Sequence, residues 1–479
     1  MKFSRRELLK GCFASAAMVG IPACLSTSPT NRTPSKLVDD WETARQIRAN
    51  IQLPEFPDRD FPLTDYFQGP QPEDCTEVFA KAIKACHQAG GGRVVVAPGL
   101  YHTGPIHLLS NVNLHLQAGA RVKFIPEPKR YLPAVHTRWE GMEIMGYSPL
   151  IYAYQQNNIA VTGSGVFDGS GDNQTWWPWK GPHKEAHWDI IPDQDQAPAR
   201  MQLMKDVENH VPQEQRLYAE GSFLRPSFFQ PYECQRVLVE GVTFKDSPFW
   251  LVHPVLCQHV SVKGVQFLSH GPNSDGCDPE CCDHVLIEDC MFDTGDDCIA
   301  IKSGRNADGR RVGIPSKNII IANCQMKEGH GGVVIGSEIS GGVNNVYVEN
   351  CQMDSPHLER AIRIKTNSIR GGLIERLRYR NITVGSVKTA VVINFFYEEG
   401  DAGSFDPTVR DIVIENMTCN DISLRAFNLQ GFPRKPIEDI HFIDCHFGNA
   451  QNPSIFKNIK NITMNNVTVN GIKIDPQSL

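Results

Sequence analysis

Beyond its first 25 positions this chain of 479 residues has no apolar run long enough to cross a bilayer, which excludes an integral membrane protein built from helices. It also has no basic excess, since Lys and Arg number 47 against 54 Asp and Glu, for a formal charge of −7. Nucleic acids and anionic membranes call for a broad basic patch, so those partners are not expected, and an anionic substrate would have to be held locally. No helix long enough for a βαβ crossover separates the strand-like stretches, which removes the alternating α/β folds. Gly90, Gly91 and Gly92 are not followed by GK[ST], and RVVVAPG runs straight into a strand. That triplet is a turn and not a phosphate loop. Cys277, Cys281, Cys282 and His284 fit no zinc-ligand spacing, so neither a metal nor another cofactor is expected.

What is present begins with an export signal. MKFSRRELLKGCFASAAMVGIPAC joins a twin arginine, Arg5 and Arg6, to a short apolar segment with small residues, the pattern of twin-arginine export. Ile21-Pro22-Ala23-Cys24 also reads as a lipoprotein cleavage site that would leave Cys24 lipidated, and both readings stay open. The product would be a bacterial periplasmic or outer-membrane-anchored protein. The chain divides into the signal, 1–24, a Pro-, Ser- and Thr-rich tether with an irregular lead-in, 25–60, and a globular domain, 61–479, in which order begins near Phe61. Exported chains with 15 cysteines commonly carry disulfides. Here Cys290, Cys324, Cys351 and Cys445 recur at one place in IEDC, IANC, VENC and FIDC, which predicts a buried ladder of free thiols, in keeping with export after folding in a reducing cytoplasm.

Apolar residues at helical spacing predict a helix over 74–89, stopped by the glycines. From there the chain repeats itself: NVNLHLQAGARVKF, RVLVEGVTFKD, HVSVKGVQFLS, HVLIEDCMFDT, NIIIANCQMKE, NVYVENCQMDS and DIHFIDCHFGN share one outline, with most of the later starts 22 to 34 residues apart. One wider gap holds the less regular RLRYRNITVG. Strands at that period predict an all-β, right-handed parallel β-helix with a short N-terminal capping helix; propeller blades are longer, at about 40 residues or more. The repeat is interrupted over 170–222, a polar excursion with Trp176, Trp177, Trp179 and Trp188 and a helix expected near 200–208. Such tryptophans either anchor a long loop or offer a sugar platform.

The stretch NSDGCDPECCDHVLIEDCMFDTGDDCIAIK places Asp275 in one turn and, 21 residues after it, Asp296 with Asp297 in the next. The alternating apolar residues of HVLIEDCMF between them read as a strand. If the turns belong to successive coils they lie about 4.8 Å apart and the three carboxylates converge. Paired carboxylates facing one space are what glycosidic hydrolysis requires. Later coils add Gly329-His330-Gly331, then Arg363-Ile364-Lys365, whose basic side chains share the outward face of a strand, then Tyr397.

In the order Asn273-Ser274-Asp275, Gly295-Asp296-Asp297, Gly329-His330-Gly331 and Arg363-Ile364-Lys365, followed by Tyr397 on a later coil, the chain resembles glycoside hydrolase family 28, the polygalacturonases and their relatives. Ser274 stands where the family has Thr. The resemblance runs over almost the whole mature chain and implies inverting hydrolysis of α-1,4-galacturonic acid links, with galacturonan as partner and no protein partner evident. Carried over motif by motif, it implies Asp296 as general acid, Asp275 and Asp297 as water activators about 6.5 to 9.5 Å across the sugar, and His330 as support for the protonation of Asp296. It further implies Arg363 and Lys365 on a substrate carboxylate, Tyr397 on a sugar ring and Asn273 on a hydroxyl, with Lys302 either a further binding residue or an exposed structural lysine. Three close carboxylates cannot all ionise easily, so one stays protonated, which suits Asp296. Exo-acting bacterial relatives carry insertions near 170–222, and that segment is long enough to wall one end of a cleft, so exo action is expected. The alternatives are an endo-polygalacturonase, a rhamnogalacturonan or xylogalacturonan hydrolase, a calcium-dependent pectate lyase and a non-catalytic carbohydrate-binding β-helix.

Overall fold

In the computed structural model, residues 40–184 and 186–475 are described. The export signal and Cys24 lie outside them. From Trp41 onward the described residues make one compact unit. The 41–479 unit is a right-handed parallel β-helix. Its inward rows run in strict register: Val112, Ile159, Val237, Val260, Val285, Ile319, Val346, Leu377, Ile412, Ile440 and Ile462 are successive neighbours on parallel strands, one per coil. The segment RLRYRNITVG, less regular in sequence, holds the same register. A second row stacks Phe167, Phe244, Phe267 and Phe292, with ring planes 17°, 16° and 3° apart. Burying one face of every coil against the next is what holds a solenoid together, because no coil could bury that face alone.

The polar residue that opens each repeat turns the chain. Arg236, His259, His284, Asn318, Asn345, Asp411, Asp439 and Asn461 all have φ between 54° and 61°, a left-handed conformation that Asn and Asp tolerate best among residues with a Cβ. At a second bend, side-chain amides climb the stack: Asn381 Nδ2 donates to Asn350 Oδ1 at 2.9 Å and Asn416 Nδ2 to Asn381 Oδ1 at 2.7 Å. The thirteen cysteines among the described residues are free and buried. Cys290, Cys324 and Cys351 are next neighbours in one row, while Cys445 belongs to that row but is separated from them by Ile382 and Met417. Cys234, Cys257 and Cys282 form a second such row.

The helix predicted over 74–89 spans Thr76–Gln88 and lays Val78, Phe79, Ala82, Ile83 and Cys86 over the start of the stack. Gly91 and Gly92 end the turn after it, where an added Cβ would lie 2.5 Å from the Asn111 carbonyl oxygen and 2.4 Å from that of Arg59. The lead-in is not irregular throughout, and order begins before Phe61. A helix, Asp40–Asn50, seats Trp41, Ala44 and Ile47 on the outward residues Leu286, Ile320, Ala322 and Tyr347. Beyond those three buried positions only Ala49 is apolar in this polar and charged segment, so its stability comes from the sheet beneath.

The excursion at 170–222 holds the helix Ala197–Glu208 and a short strand, Leu217–Tyr218, that extends the hairpin of Val135–Trp139 and Met142–Gly146. Its four tryptophans are buried in the main core. Trp177 donates from Nε1 to the Ser247 carbonyl at 2.9 Å and Trp188 to that of Gly181 at 3.0 Å, so they are anchors, and of the four only Trp188 also reaches the large cavity.

The amide ladder gives a direct test. Asn381→Ala loses both inter-coil bonds and puts a Cβ residue without local hydrogen bonding at φ 53°, and should lower unfolding free energy by about 1–3 kcal/mol. Asn381→Gly should recover the backbone part only. Urea midpoints for the three proteins check the order wild type, Gly, Ala.

Candidate active site

The convergence of the acidic turns follows from the backbone. Gly276 N–H donates to the Asp297 carbonyl at 3.0 Å, Cys298 N–H to that of Gly331 at 2.8 Å, and His330 N–H to that of Asp296 at 3.1 Å. Three motifs separated in sequence are therefore neighbours on three coils. Gly276 is needed there because a Cβ would meet the Cys298 carbonyl oxygen at 2.5 Å. Asp275, Asp296 and Asp297 each bring a carboxylate oxygen within 4.8 Å of the other two. That is closer than the about 6.5 to 9.5 Å of a general inverting pair, so the wide separation expected from sequence is corrected. The trio is near enough to hold a cation, but Arg363, Lys365 and Lys302 already place positive charge against it.

Asp297 is fully buried and receives Lys365 Nζ at 2.6 Å and Arg363 Nη1 at 3.3 Å. The basic pair thus faces the cavity as expected, yet it is tied to a catalytic-patch carboxylate. Tyr397 lies beside it, its ring centre 5.3 Å from Lys365 Nζ and 5.5 Å from the Arg363 guanidinium carbon. Asp296 Oδ1 is 3.1 Å from His330 Nδ1. Asn273 already accepts two bonds at Oδ1, from Arg225 Nη2 at 2.8 Å and Lys180 Nζ at 3.2 Å. Lys302 is not exposed: it is 2 % accessible, stacks over Trp250 at 4.2 Å, and sits 3.6 Å from Asp275, 3.6 Å from Asp278 and 3.3 Å from Glu338. Asp278 and Glu338 escaped the sequence reading. The only signal for Asp278 is its place three residues after Asp275, and Glu338 lies in no repeat. Among the described residues neither oxygen of Asp278 has a hydrogen-bond partner.

These groups surround a cavity of about 920 Å³. Asn273, Asp275, Asp296, His330, Lys302, Arg363, Lys365 and Tyr397 line it, with Asp297 behind. Lys180, His183, Lys184, His187, Trp188 and Arg200 of the excursion line it too, so that segment stands over the carboxylates. Nothing in sequence periodicity assigns those side chains to the site.

The sequence profile of the glycosyl hydrolases family 28 matches residues 219–466. The chain belongs to this family. It is similar to a hyperthermoactive exopolygalacturonase from Thermotoga maritima, at 40% identity and a TM-score of 0.85, covering 91% of this chain and 97% of that one. It is also similar to the exo-poly-α-D-galacturonosidase of Dickeya chrysanthemi, at 23% identity over 83% of this chain and 68% of the relative. An endo-polygalacturonase of Pectobacterium carotovorum subsp. carotovorum is 25% identical over 76% of this chain and 82% of its own.

In this family 28 glycoside hydrolase the acids differ in what surrounds them. Burial, with Asp278 and Asp296 close by, pushes the Asp275 carboxyl well above the ordinary carboxylate range. Burial likewise pushes Asp278 well up, against the pull of Lys302. Burial raises Asp296 as well, but the charge and hydrogen bond of His330, with Lys365 and Arg363, outweigh it and hold the carboxyl far below its usual value. Asp296 in turn raises His330. The surroundings of Asp296 thus favour its charged form beside His330, whereas those of Asp275 favour its neutral form. The expectation from sequence, which placed the retained proton on Asp296, did not include the His330 contact.

The sign of the pH effect follows. A lowered Asp296 contributes stability above its unfolded value, 3.8, and loses it as pH falls through the depressed folded value. A raised His330 contributes fully below its unfolded value, 6.5, and loses it as pH rises through the folded value. The coupling between His330→Asn and Asp296→Asn, taken from a double-mutant cycle of unfolding midpoints, should be larger at about pH 5.5 than at about pH 9. Equal coupling would remove the ion pair.

Proposed function

We propose that this glycoside hydrolase cleaves the α-1,4 links of galacturonan one unit at a time from a chain end, with inversion. The observation that carries the exo reading is the excursion at 170–222, whose Lys180, His183, Lys184, His187, Trp188 and Arg200 line the carboxylate cavity, where they would obstruct a through-running polymer. The 40% identity to the Thermotoga exopolygalacturonase over nearly all of both chains supports the same reading, while the endo-acting relative keeps internal cleavage as its competitor.

Asp296 is the group nearest a proton donor, since His330 touches its Oδ1. As the substrate enters, water leaves and the glycosidic oxygen approaches this pair, so the proton held by His330 can pass through Asp296 to the leaving group. Asp297, fully buried and held by two cations, and Asp275, beside Lys302, position the water and take its proton. Their closeness suits this if the water sits between the two carboxylates and not across the ring from them. Arg363 and Lys365 can shift part of their hydrogen bonding from Asp297 to a sugar carboxylate, Arg363 through two parallel N–H groups. Such a shift would strengthen Asp297 as a base when substrate is bound. Asn273 orients a hydroxyl, and Tyr397 offers its ring to a sugar face. The export signal supports action outside the cytoplasmic membrane, in the periplasm or, through Cys24, at the outer membrane.

The test is product analysis on polygalacturonate with a chelator present. Saturated monomer alone from the earliest times, first formed as the β anomer, is expected. A ladder of saturated oligomers would overturn exo action, an α product would overturn inversion, and unsaturated products sensitive to chelator would move the chain to lyase chemistry. Asp296→Asn should lower kcat about 10²–10⁴-fold with the fold intact by circular dichroism.

A further inference from the structure

The cation pair on Asp297 has a second copy. Arg360 and Lys388 share Glu359, Arg360 Nη1 bonding one carboxylate oxygen and Lys388 Nζ lying 3.4 Å from the other. Pair for pair, the arrangement repeats that of Arg363 and Lys365 on Asp297. Four cations are thus matched by two carboxylates, and each set keeps one surplus positive charge. Both sets line the large cavity. Arg360 and Lys388 also line a smaller recess of about 120 Å³ that continues toward Asn394, Tyr397 and Asn428. Parallel register places Arg360 beside Thr389, so Lys388 belongs to the next coil. Arg363 and Lys365 border the same recess, and Thr389, Asn394, Tyr397 and Asn428 add hydroxyl and amide groups beside Val392 and Leu424, a mixture that suits a hydroxylated ring.

We propose that Arg360 and Lys388, bridged by Glu359, form a second carboxylate-binding subsite, taking the uronic acid unit that follows the one held by Arg363 and Lys365. This rests on the galacturonan reading above. A polymer with one carboxylate on every unit presents its charges at regular intervals, and a second cation pair, made by Arg360 on the strand of Arg363 and Lys365 and by Lys388 on the next coil, can meet the next unit. Glu359 has the same place as Asp297 in the first set: it keeps the cations in position when the subsite is empty and is displaced from part of its bonding when an anion arrives. Burial and the neighbouring Arg363 push the Arg360 guanidinium down to about 10, a sign of cations crowded where an anion would relieve them.

The experiment compares initial rates on digalacturonate and trigalacturonate with one preparation of each enzyme, so that any unfolded fraction cancels in the ratio. Lys388 is half exposed, and Lys388→Ala should lower the ratio of kcat/KM for trimer over dimer by about three- to tenfold, mainly through the KM of the trimer. Glu359→Gln removes the competing carboxylate and should raise that ratio. Added salt should shrink the wild-type ratio more than it shrinks that of Lys388→Ala. Equal losses on both substrates, or ratios unmoved by both variants, would overturn the subsite while leaving galacturonan hydrolysis in place. A wild-type enzyme inert on both oligomers and on the polymer would remove the galacturonan reading itself, and the subsite with it.

Discussion

Parallel register between coils is the constraint on which the rest of this structure depends. A strand spacing of about 4.8 Å is imposed on every residue by the backbone hydrogen bonds, whatever its side chain. Inward, that spacing stacks valine on valine and phenylalanine on phenylalanine, which is favourable. Outward, it stacks whatever the turns carry, and at one turn they carry three carboxylates within 4.8 Å of each other. The same geometry that builds the core thus forces like charges together at the site, and the site can exist only because the stack supplies enough burial to hold it.

The repulsion is met group by group, and that is what makes the acids different. Asp297 has two cations, Asp296 has an imidazole, and Asp275 shares Lys302 with Asp278 and Glu338. A buried carboxylate deprived of its partner is costly, whereas a buried pair is roughly neutral. The cations therefore do two things: they let the carboxylates stay buried, and they set the acids apart, holding Asp296 toward its charged form while Asp275 is raised by burial. Lys302 is the least conspicuous of them in sequence and the most deeply placed, with Trp250 covering its ammonium. A lysine there is raised further above its usual value by Asp278, Glu338 and Asp275, against the opposing and larger effect of burial on each charge taken singly.

Sequence carried the stack and the order of its motifs because both are periodic: each repeat opens with a polar residue that the structure puts at positive φ, and each catalytic motif is one coil further on. It did not carry what periodicity leaves unmarked. The helix Asp40–Asn50 buries only three apolar residues and is held by outward positions of the sheet. Lys302 alternates outward from a strand, which on an ordinary edge means exposure, but here Trp250 and the acidic turns cover it. The charge state of Asp296 depends on an imidazole 34 residues away in sequence and 3.1 Å away in space. The expectation that the excursion forms a wall rested on its length, and its residues reach the cavity by a path that no repeat describes.

The excursion is tied to the turn that carries Asp275. Arg225 is fully buried and donates to the carbonyls of Pro248 at 2.9 Å and Pro272 at 2.6 Å, to Asn273 Oδ1 at 2.8 Å and, more weakly, to Gln196 Oε1 at 3.3 Å. Gln196 belongs to the excursion and Asn273 to the turn that carries Asp275, so one guanidinium joins them. Lys180 of the excursion bonds the same Asn273 oxygen, and the Trp177 indole lies so close to Gly271 that a Cβ there would sit 2.2 Å from Nε1. An excursion tied by its side chains to the residues it covers does not need to close on the substrate to exclude it. Its place over the carboxylates is therefore fixed by the same contacts that hold the turn of Asn273.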